Sequence, residues 1–287
     1  MELFLKIVSP IKSYDFNNFI HNLLLSLPAS ILIGIILFFI LGFIPKLKSK
    51  EYRIYIVFSL TIIISFTIAL YNLGVSFETL VAVYSEWLHL IVRWIHIIVG
   101  VAWIGTSFYF NWLDSRLERD DPNFKHLDGY LWSVHSGGFY RIEKLKGPPE
   151  QLPKVLHWFK WEAYSTWISG FVLLILVYYL NASTMMLGND GIELSPLGSI
   201  FISILLLLGS WLLYDFTCRN SSEESQQTLV IIGFSIFVIM SYILTQIFGS
   251  RAAYIHVGAI IGTLMAANVF RVIIPAQKNL VNAAEKN

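Results

Sequence analysis

The stretch HLIVRWIHIIVGVAWIG, residues 89–105, lies inside an apolar run long enough to cross a membrane. It nevertheless carries two histidines and an arginine, and ionisable side chains at membrane depth are rare and costly. Each residue of a helix advances by about 100°, so that one face collects residues three and four positions apart. The residues on that face are His89, Arg93, His96, Gly100, Trp103 and Ser107. We predict a membrane helix whose polar stripe faces the interior of a helix bundle.

The composition supports a membrane protein. Of the 287 residues, 56% are hydrophobic and 14% are charged, and soluble proteins carry about 25% charged residues. The net charge of +1 argues against a nucleic-acid partner, which would require a basic face. Cys218 is the single cysteine, so the sequence has no internal disulfide and no CxxCH site for a covalent c-type haem.

Seven apolar stretches are long enough to span the hydrocarbon core of a bilayer, which takes about 20 residues. They are residues 23–44, 54–72, 88–112, 164–181, 196–215, 228–248 and 252–274. The expected fold is an all-α, polytopic transmembrane helix bundle, with residues 1–287 forming a single integral membrane domain.

The distribution of Lys and Arg predicts the orientation. These residues are concentrated on one side, in the 45–53 and 113–163 loops and at the C-terminal end, whereas the opposite side holds only Lys6, Lys12 and Arg251. Because positive charges mark the cytoplasmic side, we predict the N-terminus outside and the C-terminus in the cytoplasm. Residues 1–20 are predicted to form an interfacial segment, and residues 113–163 a cytoplasmic insert.

The third span offers candidate chemistry. His96 has the imidazole that an axial haem ligand requires, and Gly100 leaves its flank open for a flat group. The alternative for His96 is a hydrogen bond to a neighbouring helix. Arg93 either anchors an anionic ligand or pairs with Glu86, and His89 lies nearer the membrane interface.

The last span provides a counterpart in its His256, followed by the close-approach motif Gly258-x-x-x-Gly262. Two histidines on different helices can hold a b-type haem, so His96 and His256 are the expected ligands of its iron. Helix packing alone is the other explanation of the two glycines.

On the cytoplasmic side, Trp158, Trp161 and Trp167 are expected to be interfacial aromatics. Turn signals at Gly137-Gly138 and at Gly147-Pro148-Pro149 flank a short extended stretch. A substrate site built in the 113–163 insert competes with one in the outer half of the third span.

Four strings of the sequence resemble the N-terminal membrane domain of the bacterial membrane-integrated urate oxidase (urate hydroxylase) family. They are RWIHIIVGVAWIGTSFYFNWLD at 93–114, HSGGFY at 135–140, LHWFKWEAYSTWISGFVLL at 156–174 and AANVFRVIIPAQK at 266–278. More loosely, the pattern at 94–105 resembles helices of b-type haem membrane proteins.

The resemblance implies oxidation of urate toward 5-hydroxyisourate in purine breakdown, in a bacterial inner membrane, with electrons passing to a c-type cytochrome. The family's C-terminal cytochrome c domain is expected to be absent from these residues and supplied by a partner or a missing part. Combined with the residues, the resemblance makes Arg93, His89 and Trp103 the catalytic candidates. Arg93, Asn111 and Asn268 are the expected substrate contacts, with Ser107 as a further hydrogen-bonding group and Trp94 as an alternative stacking ring.

Three other functions remain open at this point. One is a b-type haem electron-transfer protein without purine chemistry. A second is a permease for a small anion, in which Arg93 is the binding charge. The third is a scaffold that only anchors a cytochrome, which the buried ionisable residues disfavour.

Overall fold

The computed structural model describes residues 16–42, 50–149, 151–188, 192–220 and 226–285. Within them, seven helices are long and apolar enough to cross a membrane, which confirms the all-α, polytopic bundle. Residues 16–20 belong to the first helix, and the rest of the expected interfacial segment, 1–15, lies outside the described residues. The orientation of the termini and the single domain over the whole chain stay predictions.

The described helices are α1 (Phe16–Gly42), α2 (Lys50–Asn72), α3 (Phe77–Arg116), α4 (Trp161–Leu173), the short α5 (Ala182–Met185), α6 (Pro196–Arg219), α7 (Gln226–Ile247), α8 (Ser250–Asn268) and α9 (Ile274–Ala284). Two stretches of π-helix, Leu174–Tyr179 and Val269–Ile273, continue α4 and α8. Between α3 and α4 lie a 3₁₀ turn, Pro122–Phe124, and the strands β1 (Leu127–His135) and β2 (Gly138–Leu145).

Helix α3 is much longer than the predicted span 88–112. It has 40 residues, which at 1.5 Å per residue makes a rod about 60 Å long, about twice the thickness of a hydrocarbon core. Hydropathy detects only the apolar part of such a helix. The helix itself continues into the polar turns at both ends, because polar residues do not interrupt a helix. The same holds for the last span, which runs over Ser250–Ala284.

The chain divides into two compact units, residues 1–88 and 89–287. In the first, α1 and α2 pack against each other. The Ser26 hydroxyl donates a hydrogen bond to the Ser65 carbonyl at 2.9 Å, and Gly34 lies so close to Thr61 that a Cβ would collide with its hydroxyl. Small and hydroxyl-bearing residues at the contact are how membrane helices approach closely, since lipid supplies no hydrophobic drive.

In the second unit, α8 is the central helix and packs against α4, α6 and α7. Its Ala252 and Ala253 are buried, and so are Ser199 and Ser203 on α6. These small side chains allow the backbones to approach, and larger residues such as Met186 and Leu244 complete the core.

The insert between α3 and α4 contains an antiparallel hairpin. Ser136 and Gly137 connect the paired residues His135 and Gly138, and both connecting residues have positive φ, 49° and 77°. Two successive positive φ values are typical of the two-residue turns that match the twist of a hairpin. The predicted turn is confirmed, but it begins one residue before the Gly137-Gly138 signal, because Gly138 is already paired in β2.

Ion pairs attach the hairpin to the end of α3. Arg119 contacts Asp128 at 2.7 Å, and Lys144 contacts Asp114 at 2.5 Å and Asp128 at 3.2 Å. Hydrogen bonds from Arg119, followed by those from Lys144, lower the pKa of Asp128 below its ordinary 3.8. A carboxyl group whose pKa is lowered by folding stabilises the fold above its unfolded pKa, and this contribution is lost as the pH falls through the folded value.

We expect acid to loosen the hairpin once the pH drops below the ordinary pKa of Asp128. Amide-hydrogen protection factors over 127–145 should be lower at pH 3 than at pH 6, and Asp128→Asn should show lowered protection already at pH 6. Asp120→Asn is the matched control, since Asp120 forms no ion pair with a described residue. Equal protection in the Asp128 and Asp120 variants at pH 6 would contradict the role of the ion pairs.

Candidate functional site

A cavity of about 480 Å³ lies within the second unit, between α3, α4 with its π-helical continuation, α6 and α8. Three residues of the predicted stripe line it, namely Arg93, His96 and Trp103. The two ends of the stripe do not: His89 is half-buried one turn before Arg93, and the Ser107 hydroxyl donates to the Trp103 carbonyl at 3.2 Å. The stripe thus supplies one wall of the cavity over its middle turns.

Helix α8 supplies the opposite wall with Arg251, Gly258, Gly262 and Thr263. Apart from the adjacent residues and the backbone of α8 itself, no described atom lies within 4 Å of a Cβ built on Gly258 or Gly262. The expectation that these glycines serve close helix packing is therefore wrong among the described residues. Their missing side chains leave open space on the cavity side instead.

The cavity holds two arginines, and no acidic residue is among the described residues that line it. Neither Arg93 nor Arg251 has a hydrogen bond or an ion pair with a described residue. Both guanidinium charges act on the Tyr178 phenol, which also lines the cavity. A guanidinium group in a membrane span needs an anionic or carbonyl partner, and an anion in this cavity would supply one to both arginines.

Aromatic rings form another part of the wall. The Trp167 indole nitrogen donates a hydrogen bond to the Thr263 hydroxyl at 3.0 Å, which fixes the ring between α4 and α8. Trp167 also stacks on Phe171, with ring centroids 5.3 Å apart and planes 6° apart. The structure thus gives Trp167 a place in the cavity wall, whereas the sequence predicted an interfacial aromatic. Flat apolar rings next to cations suit a planar, anionic ligand.

His96 is seated against α4. Its Nδ1 lies 3.1 Å from the Thr166 carbonyl oxygen and 3.1 Å from the Ser169 hydroxyl oxygen. A Cβ on Gly170 would lie 2.9 Å from Cε1 of the ring, so any larger residue here requires the imidazole to shift. Gly100, which we expected to leave this space, faces Thr166 and does not line the cavity.

His256 is fully buried and turned to α6. Its Nε2 lies 2.6 Å from the Ser203 hydroxyl, and its Nδ1 lies 2.7 Å from the Ala252 carbonyl oxygen. Since a carbonyl only accepts, Nδ1 carries the proton and Nε2 accepts from Ser203. The Tyr179 hydroxyl bonds Ser203 at 2.7 Å and completes a closed network.

A b-type haem held between His96 and His256 does not fit this arrangement. The lone pair of His256 that would bind iron is used by Ser203, and His256 does not line the cavity. The reason is helical geometry: His256 lies five residues after Arg251 and about 140° around the helix from it.

The remaining predicted contacts lie outside the cavity wall. Asn111 is exposed two turns beyond Trp103, and Asn268 is half-buried at the end of α8. Trp94 is 63% exposed on another face of α3. The structure does not bring these three side chains to the cavity.

The sequence pattern did not single out Arg251 as a site residue. The helical period could have indicated it, because one face of α8 carries the residues that line the cavity. They are Arg251, Ile255, Gly258 and Gly262. The π-helical stretch after α4 was not predicted either. It carries Tyr178 on the cavity wall and Tyr179 in the His256 network, and π-helical segments are frequent at functional sites.

A family model described as urate oxidase N-terminal matches residues 82–287. Among the curated proteins and the solved structures, no significant match is found. The matched residues include every described residue that lines the cavity.

We expect Gly170→Ala to destabilise the second unit, because the added methyl group displaces the His96 ring from its seat. Overpacking of this kind costs about 1–3 kcal/mol of unfolding free energy. Thermal unfolding in detergent measures the effect. Gly209→Ala on α6 is the matched control, since a Cβ there meets no described atom within 4 Å apart from the adjacent residues and the helix's own backbone. Equal melting temperatures for the two variants would refute the tight seat.

Proposed function

The chain belongs to the urate oxidase N-terminal family, and from this premise we propose that it is the membrane part of a urate-oxidising enzyme. The reaction is the oxidation of urate to 5-hydroxyisourate, a step of purine catabolism. The electrons pass to a c-type cytochrome, and the chain works in a bacterial inner membrane.

The observation that carries this proposal is the pair of arginines in the cavity without an acidic partner among the described residues. Urate is a monoanion near neutral pH. Two guanidinium groups compensate its charge, and each bond to it is a charge-assisted hydrogen bond, which is stronger than a neutral one. The bound anion in turn supplies the partner that arginine requires at membrane depth.

The shape of the cavity supports the same substrate. Its volume of about 480 Å³ lies within the range of about 300–1,000 Å³ that is usual for small-molecule sites. Urate is a flat, fused-ring molecule, and the rings of Trp103, Trp167 and Phe171 offer apolar surface for its faces. The two glycines of α8 leave room for a rigid ligand that cannot adjust its own shape.

The chemistry balances with water as the oxygen source. Urate monoanion and one water give neutral 5-hydroxyisourate, one proton and two electrons. The two electrons go one at a time to a c-type cytochrome, and the proton requires an acceptor. The site must therefore bind an anion, admit a water molecule and accept one proton.

We expect Arg93→Gln and Arg251→Gln to weaken urate binding, because each change removes one charged donor. Hydrogen bonds to charged groups contribute about 1.5–3 kcal/mol, so the Kd should rise about 10-fold to 150-fold per substitution. Equilibrium binding of labelled urate to the detergent-solubilised protein measures this. Arg219→Gln is the control. Arg219 does not line the cavity, and its guanidinium group is paired with Asp215 at 2.9 Å.

Unchanged urate affinity in both cavity variants would overturn the proposed site. Binding without any oxidation in the presence of oxidised cytochrome c, together with urate uptake by vesicles containing the protein, would favour the permease instead. Reduction of the cytochrome by urate in the wild-type protein supports the enzyme.

A further inference from the structure

His96 is held through one ring nitrogen only. The Thr166 carbonyl oxygen, 3.1 Å from Nδ1, can accept but not donate. The Ser169 hydroxyl gives its own proton to the Ser165 carbonyl at 2.7 Å, so its oxygen accepts from His96 as well. Two acceptors facing Nδ1 place the proton of neutral imidazole there, which leaves Nε2 with a free lone pair.

The Nε2 atom has no hydrogen-bond partner among the described residues, and it is not one of their buried unpartnered atoms. It is therefore accessible, and His96 lines the cavity. In this respect it differs from Nε2 of His256, which is closed by Ser203. The two histidines have the same tautomer, but only one of them presents a base to a ligand.

No other described residue of the cavity wall can take a proton near neutral pH. The other charged or titratable groups among the described residues that line the cavity are Arg93 on α3, Arg251 on α8 and Tyr178 after α4. The two guanidinium groups are already protonated, and a phenol is an acid of pKa about 10. The wall holds no carboxylate, lysine or cysteine among the described residues. The one imidazole on the described cavity wall thus lies about one helical turn from Arg93.

We propose that Nε2 of His96 is the general base of the reaction, an inference that rests on the proposed function. It accepts the one proton that is released when water attacks C5 of the urate monoanion. The bond from the water oxygen to C5 forms, one O–H bond of the water breaks, and its proton moves to Nε2. Two electrons leave the purine for the c-type cytochrome. Thr166 and Ser169 then hold the protonated ring through Nδ1.

The test uses His96→Asn, because an asparagine amide can replace Nδ1 as the donor to Thr166 while Nε2 is lost. We expect turnover of urate with oxidised cytochrome c to fall by about 10²–10⁴-fold, the usual contribution of a general base. The Kd for urate should stay close to that of the wild-type protein. His21→Gln is the control, since His21 is exposed on α1, and it should change neither quantity.

A second variant, His96→Gly, leaves a space of the size of the lost ring. Added imidazole should restore part of its turnover in proportion to the imidazole concentration. Imidazole should have no such effect on His96→Asn, because the asparagine side chain occupies the part of the space next to Thr166 where the imidazole would bind. A residue that only packs against α4 would not give this rescue.

The outcomes separate the two proposals. A wild-type protein that neither binds nor oxidises urate refutes the proposed function and the base with it. Normal turnover in His96→Asn refutes the base alone. Loss of both binding and turnover in His96→Asn, without imidazole rescue of His96→Gly, assigns His96 a structural role and also overturns the proposal.

Discussion

The cavity depends on one electrostatic constraint: an arginine in a membrane span requires a compensating charge, a carbonyl dipole or water. Arg93 and Arg251 line one cavity, and neither has an acidic partner among the described residues. A guanidinium group within or at the end of a membrane span is stabilised by an anionic or carbonyl partner, and one anionic ligand in the cavity can serve both arginines. Family membership and the flat aromatic wall then favour urate among small anions.

The helices around the cavity divide the remaining work. Helix α4 holds the His96 ring over Gly170. The Trp167 side chain of α4 is fixed by its hydrogen bond to Thr263 of α8. On the far face of α8, the closed network of His256, Ser203 and Tyr179 joins α8 to α6 and to the π-helical stretch. One histidine therefore serves the packing of the bundle, and the other keeps a free lone pair in the cavity.

The spans and the middle of the polar stripe were predictable, because hydropathy and the helical period are properties of one segment. Trp167, Gly170 and the orientation of His256 were not, because each depends on what a second helix presents at the same level. Arg251 was missed because its position at the start of an apolar run is typical of a loop charge. The predicted haem ligation by His96 and His256 does not fit for a related reason. Two histidines on neighbouring helices face one another only if both lie on the facing sides of their helices.

The most direct test is an experimental structure of the protein in lipid or detergent with urate added. We predict planar density within the α3–α4–α8 cavity, in hydrogen-bonding contact with Arg93 and Arg251, with one edge toward Nε2 of His96. A urate molecule bound elsewhere, or a lipid phosphate or acidic side chain compensating both arginines while urate is excluded, would contradict it.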